Sequence, residues 1–320
     1  MKRLIFIVTA LFITIVFCSC DKNIYQNEDN KNGTLNNENI INDDGSGKEH
    51  NESLSSMDMY ENFINNNEEA SFSSANTRLT DPNLEKLFGE KKYTLNEIND
   101  ILDDNLSLAT TNEEISIQSK YIDCGNDGEK ELLITVSGNY SDGKYVQYIL
   151  KNIEGSLQVL YFDVGDELNN IIQISDKGFL KYVGYTHTGM CEMRYSYLDA
   201  NVKRHFYYGK YYYLSLEDFL KHQEIESHDI SEDLLQNIQV ECYFLSEQNG
   251  SQDYLYTYYL YEWDSIKKEG ISKEYKDDNI DKIFSDLGYV VYSAEKIESF
   301  INQRQEYLGV DESINEWISD

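Results

Sequence analysis

The chain has 320 residues, a formal charge of −31 and a sequence pI of about 4.4. So acidic a polypeptide repels the phosphates of nucleic acid, which need a basic face. It has one long apolar run, at the N-terminus, which excludes a polytopic membrane protein, and its length suits one or two domains.

Lys2 and Arg3 open the chain, and residues 4–18 are uncharged and mainly apolar. That run is short for a bilayer span and has the proportions of a secretory signal core. It ends in Phe17-Cys18-Ser19-Cys20. These residues resemble the lipobox of bacterial lipoproteins, with Phe17 where leucine is usual and Cys18 where a small residue is usual. The resemblance implies cleavage after residue 19 and a diacylglycerol thioether on Cys20. Two acyl chains hold a protein stably at the membrane. The plainer alternative is an ordinary cleaved signal or an uncleaved signal anchor. The expectation is a cell-membrane protein, lipid-anchored on the extracytoplasmic face.

Residues 20–80 are rich in Asn, Asp and Ser and poor in aliphatics. Such a segment buries too little apolar area to offset its ordering entropy, so it reads as a disordered tether. Met57, Tyr60 and Ile64 share a helical spacing inside it, read as transient structure. Residues 81–320 hold most of the aromatics and are long enough for a sizeable core, with a sub-boundary near 210–230.

Within the folded part, Thr94-Leu95-Asn96-Glu97 fits a capping box and Tyr93 and Ile98 sit at staple positions, which predicts a helix over 95–103. Strands follow at 132–136, 145–149 and 157–162, with turns at 139–143 and Glu154-Gly155. Further strands are read at 171–174, 179–185, 193–198 and 202–208, the last ending at Gly209. The connections are too short for crossover helices, so the pairing is an antiparallel meander. Ser215 and Ser231 cap two predicted helices. Strand-like runs at 239–245 and 254–263 come next, then helices stopped by Gly288 and Gly309. The fold class is α+β, an antiparallel meander sheet with helices concentrated at both ends.

The sharpest local motif runs from Tyr121 to Leu132 and contains Asp123, Asn126, Asp127, Glu129 and Glu131. Calcium takes six to eight oxygens from alternating residues of a tight loop, and Gly128 allows the turn. The loop resembles the Asp-rich calcium turns of integrin-type β-repeat modules. It departs at Gly125, where a ligand is expected, and lacks a closing bidentate Glu. The competing reading is a plain Asp/Gly turn whose carboxylates bond their own backbone. Together, lipobox, Asn-rich tether and Asp/Gly turn resemble uncharacterised surface lipoproteins of Gram-positive bacteria, which implies location and architecture but no activity.

Other constellations carry little. His187, Cys191 and Asp199 lack the setting that activates a thiolate. Cys124, Cys191 and Cys242 are odd in number and fit no zinc spacing. No nucleophile elbow, phosphate loop or His-Glu-x-x-His is present. Tyr254, Tyr256 and Tyr258 share one strand face, with Tyr259 and Tyr261 on the other. The first three are candidate ligand-binding aromatics, because a phenol ring pairs a flat apolar surface with a hydroxyl; the competing reading is strand packing. The chain therefore reads as a lipid-anchored, non-catalytic binding or envelope-interaction protein with a basic protein or glycan as partner. The alternative is a secreted glycan hydrolase with two unidentified carboxylates.

Overall fold

A computed structural model describes residues 54–72, 76–77, 82–106, 115–138, 143–185, 189–226, 230–247, 254–264 and 269–319. All of them lie in one compact unit, Glu52–Asp320. Cys20, the signal-like run and the predicted loop at 139–142 lie outside the described residues.

The fold starts well before residue 81. Helix α1 (Ser56–Ile64) has a capping box in which Ser55 Oγ accepts from Asp58 N–H at 3.2 Å and the Asp58 carboxylate accepts from Ser55 N–H at 3.3 Å. Its Met59, Tyr60 and Phe63 are buried, as are Ala70 and Phe72 just beyond. The tether reading of residues 54–72 is thereby corrected. Averaged composition diluted a few well-spaced apolar residues, and those few supply one wall of a core.

Strands β1 (Ala70–Ser71) and β2 (Asn76–Thr77) are followed by a 3-10 turn at Pro82–Leu87 and helix α2 (Leu95–Leu106). The predicted box holds: Thr94 N–H donates to Glu97 Oε2 at 2.9 Å and Glu97 N–H to Thr94 Oγ1 at 3.3 Å. Then come β3 (Ser116–Ile122), β4 (Glu131–Ser137), β5 (Tyr145–Ile153) and β6 (Ser156–Gly165). Their order in space is β1-β6-β5-β4-β3, with β2 also paired to β6. The pairing is antiparallel except for the two short parallel contacts that β1 and β2 make with β6, which the meander reading did not include.

Strands β4, β5 and β6 of this first sheet are covered on both faces. Leu132, Ile134, Val136, Val146, Tyr148 and Leu150 pack against α1, α2 and the 3-10 turn. Leu133, Ile149 and Tyr161 pack the other way, against Leu180 and Leu198 of the second sheet and Val202 of its β9–β10 turn. Two-sided burial is why Leu132, Leu133 and Ile134 of β4 are consecutive apolar residues rather than an alternating pattern.

The second sheet holds β7 (Asn170–Ile174), β8 (Phe179–Tyr185), β9 (Met190–Leu198) and β10 (Arg204–Tyr213). Helices α3 (Leu216–His222) and α4 (Glu232–Asn237) interrupt it before β11 (Ile238–Phe244), β12 (Leu255–Asp264) and β13 (Glu269–Glu274). Its spatial order follows the chain from β7 to β13, all antiparallel. Helices α5 (Asp278–Asp286), α6 (Ala294–Leu308) and α7 (Ser313–Ser319) end the described chain. The class is α+β, with two sheets instead of one; helices concentrate at both ends of the described chain, and α3 and α4, expected at Ser215 and Ser231, lie between β10 and β11 of the second sheet.

The break between sheets falls between β6 and β7, not at 210–230. Gly209, read as a strand end, is interior to β10. It is glycine because the Phe244 ring of the paired strand lies over it: a Cβ there would stand 2.3 Å from Phe244 Cζ. Ser215 and Ser231 do cap α3 and α4, their hydroxyls accepting from Asp218 and Leu234 N–H.

Candidate functional site

The Asp/Gly loop closes one end of the sandwich. Asp123 accepts from Gly128 N–H with both oxygens at 3.2 Å and from Lys130 Nζ at 3.4 Å. Asp127 accepts from Glu129 N–H at 2.8 Å. Glu131 is fully buried: one oxygen accepts from Cys124 N–H at 2.9 Å and the other from Lys151 Nζ at 2.7 Å. Lys151 also donates to Ala200 O at 2.6 Å, so one ammonium ties β4 and β5 to the β9–β10 turn. Gly125 is required twice over, with φ +78° and a would-be Cβ only 2.4 Å from Ala200 N. Burial raises the Glu131 carboxyl above its usual range, and the Lys151 ammonium and Cys124 N–H oppose it.

These hydrogen bonds are those of the plain turn. Asp123, Asn126, Asp127, Glu129 and Glu131 are near in sequence, but the acids among them are committed to backbone N–H groups and two lysines. Among the described residues, no group of three or more His, Cys, Asp or Glu converges to hold a metal ion.

The structure relocates the aromatic candidate. Tyr256 and Tyr258 are buried at 5% and 2% exposure, and Tyr254 packs beside them, on the side of the second sheet that α3, α4 and α5 cover. Tyr256 stacks on Tyr289 at 4.4 Å between centroids, and Tyr258 Oη donates to Asp281 at 2.8 Å. Tyr256 and Tyr258 are therefore corrected to core residues, while Tyr254 is half-buried at the margin of that core. Strand parity grouped them properly, but parity does not say which face the helices take.

The opposite face of β10–β13 carries the usable aromatics. Residues paired across strands share a face, so Tyr212 sits with Glu241, Lys210 with Tyr243, Gln239 with Tyr259 and Ser272 with Tyr261. Lys210 Nζ lies 2.6 Å from Glu241 Oε1 and 5.6 Å from the Tyr243 ring centroid. Tyr243 Oη donates to the other Glu241 oxygen at 2.6 Å. Helix α6 crosses part of this face. Its first N–H, from Ala294, donates to Glu274 at 3.2 Å, and its Arg304 donates to Tyr207 O and Phe206 O. Tyr243 joins the core beneath α6 and α7. Tyr212, Tyr259 and Tyr261 join none of the cores and stay half-buried.

Burial, and then the Glu241 charge, raise the phenols of Tyr212 and Tyr243, and raise Tyr259 to about 12. The face thus presents hydroxyls and flat rings beside the Lys210–Glu241 pair, with the exposed Glu274 carboxylate next to Tyr259. Such a surface suits stacking against a sugar or peptide face, with hydroxyls for orientation.

Other candidates are accounted for. Cys124, Cys191 and Cys242 are free, buried thiols, and burial raises all three, the reverse of an activated nucleophile. Asp199 pairs with His205 Nε2 at 2.8 Å, a contact the sequence did not suggest, while His187 lies outside the described residues. Between the sheets, Asp163, Tyr182, Arg194 and Arg204 line a cavity of about 20 Å³. That is room for about one water, not for a sugar ring. No helix among the described residues is long and apolar enough to cross a membrane.

Comparison with known proteins gives no relative: no family model matches the chain, and neither a curated protein nor a solved structure matches it.

Proposed function

We propose that the chain is a lipid-anchored extracytoplasmic protein that acts by binding, through the tyrosine face of β10–β13, rather than by catalysis. The observation that carries the binding half is the set of half-buried tyrosines Tyr212, Tyr259 and Tyr261 beside the Lys210–Glu241 pair. Aromatic rings held by a rigid sheet lose little entropy on contact, which favours them at recognition surfaces. The anchoring half rests on Lys2, Arg3, the apolar run at 4–18 and Cys20.

Two measurements test it. Expressed in a bacterial host, the protein is expected in the membrane fraction with an acylated Cys20 at its N-terminus, and Cys20→Ala is expected to retain residues 1–19. Recovery of wild type with those residues intact, from a salt wash of the membranes, sinks the anchor. For the face, tyrosine ring signals are followed by NMR while soluble envelope glycans and peptides are added. Shifts are expected at Tyr212, Tyr259 and Tyr261, and shifts confined to other residues defeat the assignment.

A further inference from the structure

The two sheets have four outer edges, and three are blocked. On one side of the first sheet, among the described residues, β6 is met by β1 and β2, two residues each, which break the edge into pieces. At β7, the Tyr145 hydroxyl occupies the outward backbone: it donates to Ile172 O at 3.1 Å and accepts from Ile172 N–H at 2.5 Å. At β13 the side chains are charged, with Lys273 paired to Glu262 and Glu274 receiving the start of α6. Pieces, plugs and charges are the usual ways in which sheets avoid unwanted strand addition.

Among the described residues, strand β3 has neither fragments nor a plug on it, and it carries a single charge where β13 carries Glu269, Lys273 and Glu274. It is seven residues long, stands at the end of the first sheet, and residues 116–120 are exposed on both faces. Among the described residues, none hydrogen bonds to its outer side. Its one charge, Lys120, is already paired with Asp176. Nothing among the described residues pairs with its outward row of backbone donors and acceptors, and Ile117 offers an exposed apolar side chain at 43%.

We propose that β3 accepts an extended, Lys/Arg-bearing peptide segment of another protein as an added strand of the first sheet. Only a polypeptide can match the alternating N–H and C=O of the edge, which excludes a glycan as occupant. A second copy of this chain would bring another −31 of like charge, whereas a basic segment is drawn to it. This inference concerns a different sheet from the tyrosine face and stands whether or not the protein is lipid-anchored.

The test uses the full chain and a fluorescent heptapeptide of alternating Val and Lys. Three comparisons accompany it: the same peptide N-methylated at alternate residues, its Val/Glu counterpart, and amide hydrogen exchange across residues 115–138. Expected are saturable binding, slower exchange of outward amides in 116–121, loss of affinity by at least about tenfold on N-methylation, and no binding of the Val/Glu peptide. Equal binding of the N-methylated peptide means charge attraction alone and overturns the proposal, as does absence of binding or protection confined elsewhere. Sedimentation closes the remaining alternative: a concentration-dependent dimer dispersed by Ile117→Lys makes the occupant a second copy and overturns it too.

Discussion

Two lysine–glutamate pairs bridge neighbouring strands at nearly equal distance, Lys151–Glu131 at 2.7 Å in the first sheet and Lys210–Glu241 at 2.6 Å in the second. Their chemistry is the same and their surroundings are not. The first lies between two sheets, with Glu131 fully buried and every partner fixed by backbone from Cys124 and Ala200. The second is also largely buried at Glu241, but it is flanked by Tyr243, which packs beneath the C-terminal helices, and by the half-buried Tyr212. An ion pair of given geometry thus acts as a lock where a second sheet packs over it, and sits at the margin of a tyrosine-lined face where only part of a helix does.

The comparison can be broken most forcefully at the lock. Lys151→Met leaves Glu131 buried without its counter-charge and is expected to cost about 3–5 kcal/mol by denaturant unfolding. The double variant Glu131→Leu/Lys151→Met should recover most of that loss. If Lys151→Met alone is neutral, the pair is not the tie between sheets that its hydrogen bonds indicate. Lys210→Met should cost less, about 1–3 kcal/mol, because Tyr243 still bonds Glu241 and water reaches the face.

Packing over glycine offers a second contrast. Gly209→Ala drives a methyl into the Phe244 ring and should destabilise by about 1–3 kcal/mol, seen as a lowered midpoint at unchanged denaturant slope. Tyr259→Ala and Tyr261→Ala, on the open face, should each cost about 1 kcal/mol or less. A much larger loss would mean that these rings are core residues and not a recognition surface.

Acid supplies a gentler probe. Burial works to raise Asp166 and Asp199, yet the Asn169, Asn170 and Leu168 donors hold the first below its usual value, and His205 with the Lys203 and Asn201 N–H groups holds the second below. A carboxyl whose folded pKa is lowered contributes stability that is present above its unfolded pKa, near 4, and lost as pH falls through the folded value. Tm is therefore expected to fall below about pH 4. Asp199→Asn should flatten that fall, and an unchanged profile in this variant would remove Asp199 from the account. The smallest expected effect is that of calcium. With Asp123 and Asp127 already bonded to N–H groups and Lys130, melting with calcium and with chelator should coincide, and a clear upward shift with calcium would restore the loop as a metal site.

Much of the fold was legible in the sequence because it was written locally. Thr94 and Glu97, Ser215, Ser231, and the two-residue turn at Glu154-Gly155 each act within a few residues of themselves, and each sits where the pattern put it. Helix α1 was missed for a local reason as well. Its capping box at Ser55 and Asp58 is readable, but the polar composition around it outweighed three buried side chains. The two-sheet division was missed because β6 and β7 are separated by a turn no different from those between paired strands.

The candidate site divides along the same line. Sequence alone fixed the alternation that sorts Tyr254, Tyr256 and Tyr258 from Tyr259 and Tyr261, since strand side chains change sides at every residue. Only the tertiary structure decided which set is covered, because α3, α4 and α5 choose a face through apolar contacts made by residues far away in the chain. The same holds for Glu131, whose partner Lys151 is twenty residues on. Local hydrogen bonding is a property of neighbours in sequence, whereas burial is a property of whatever else arrives.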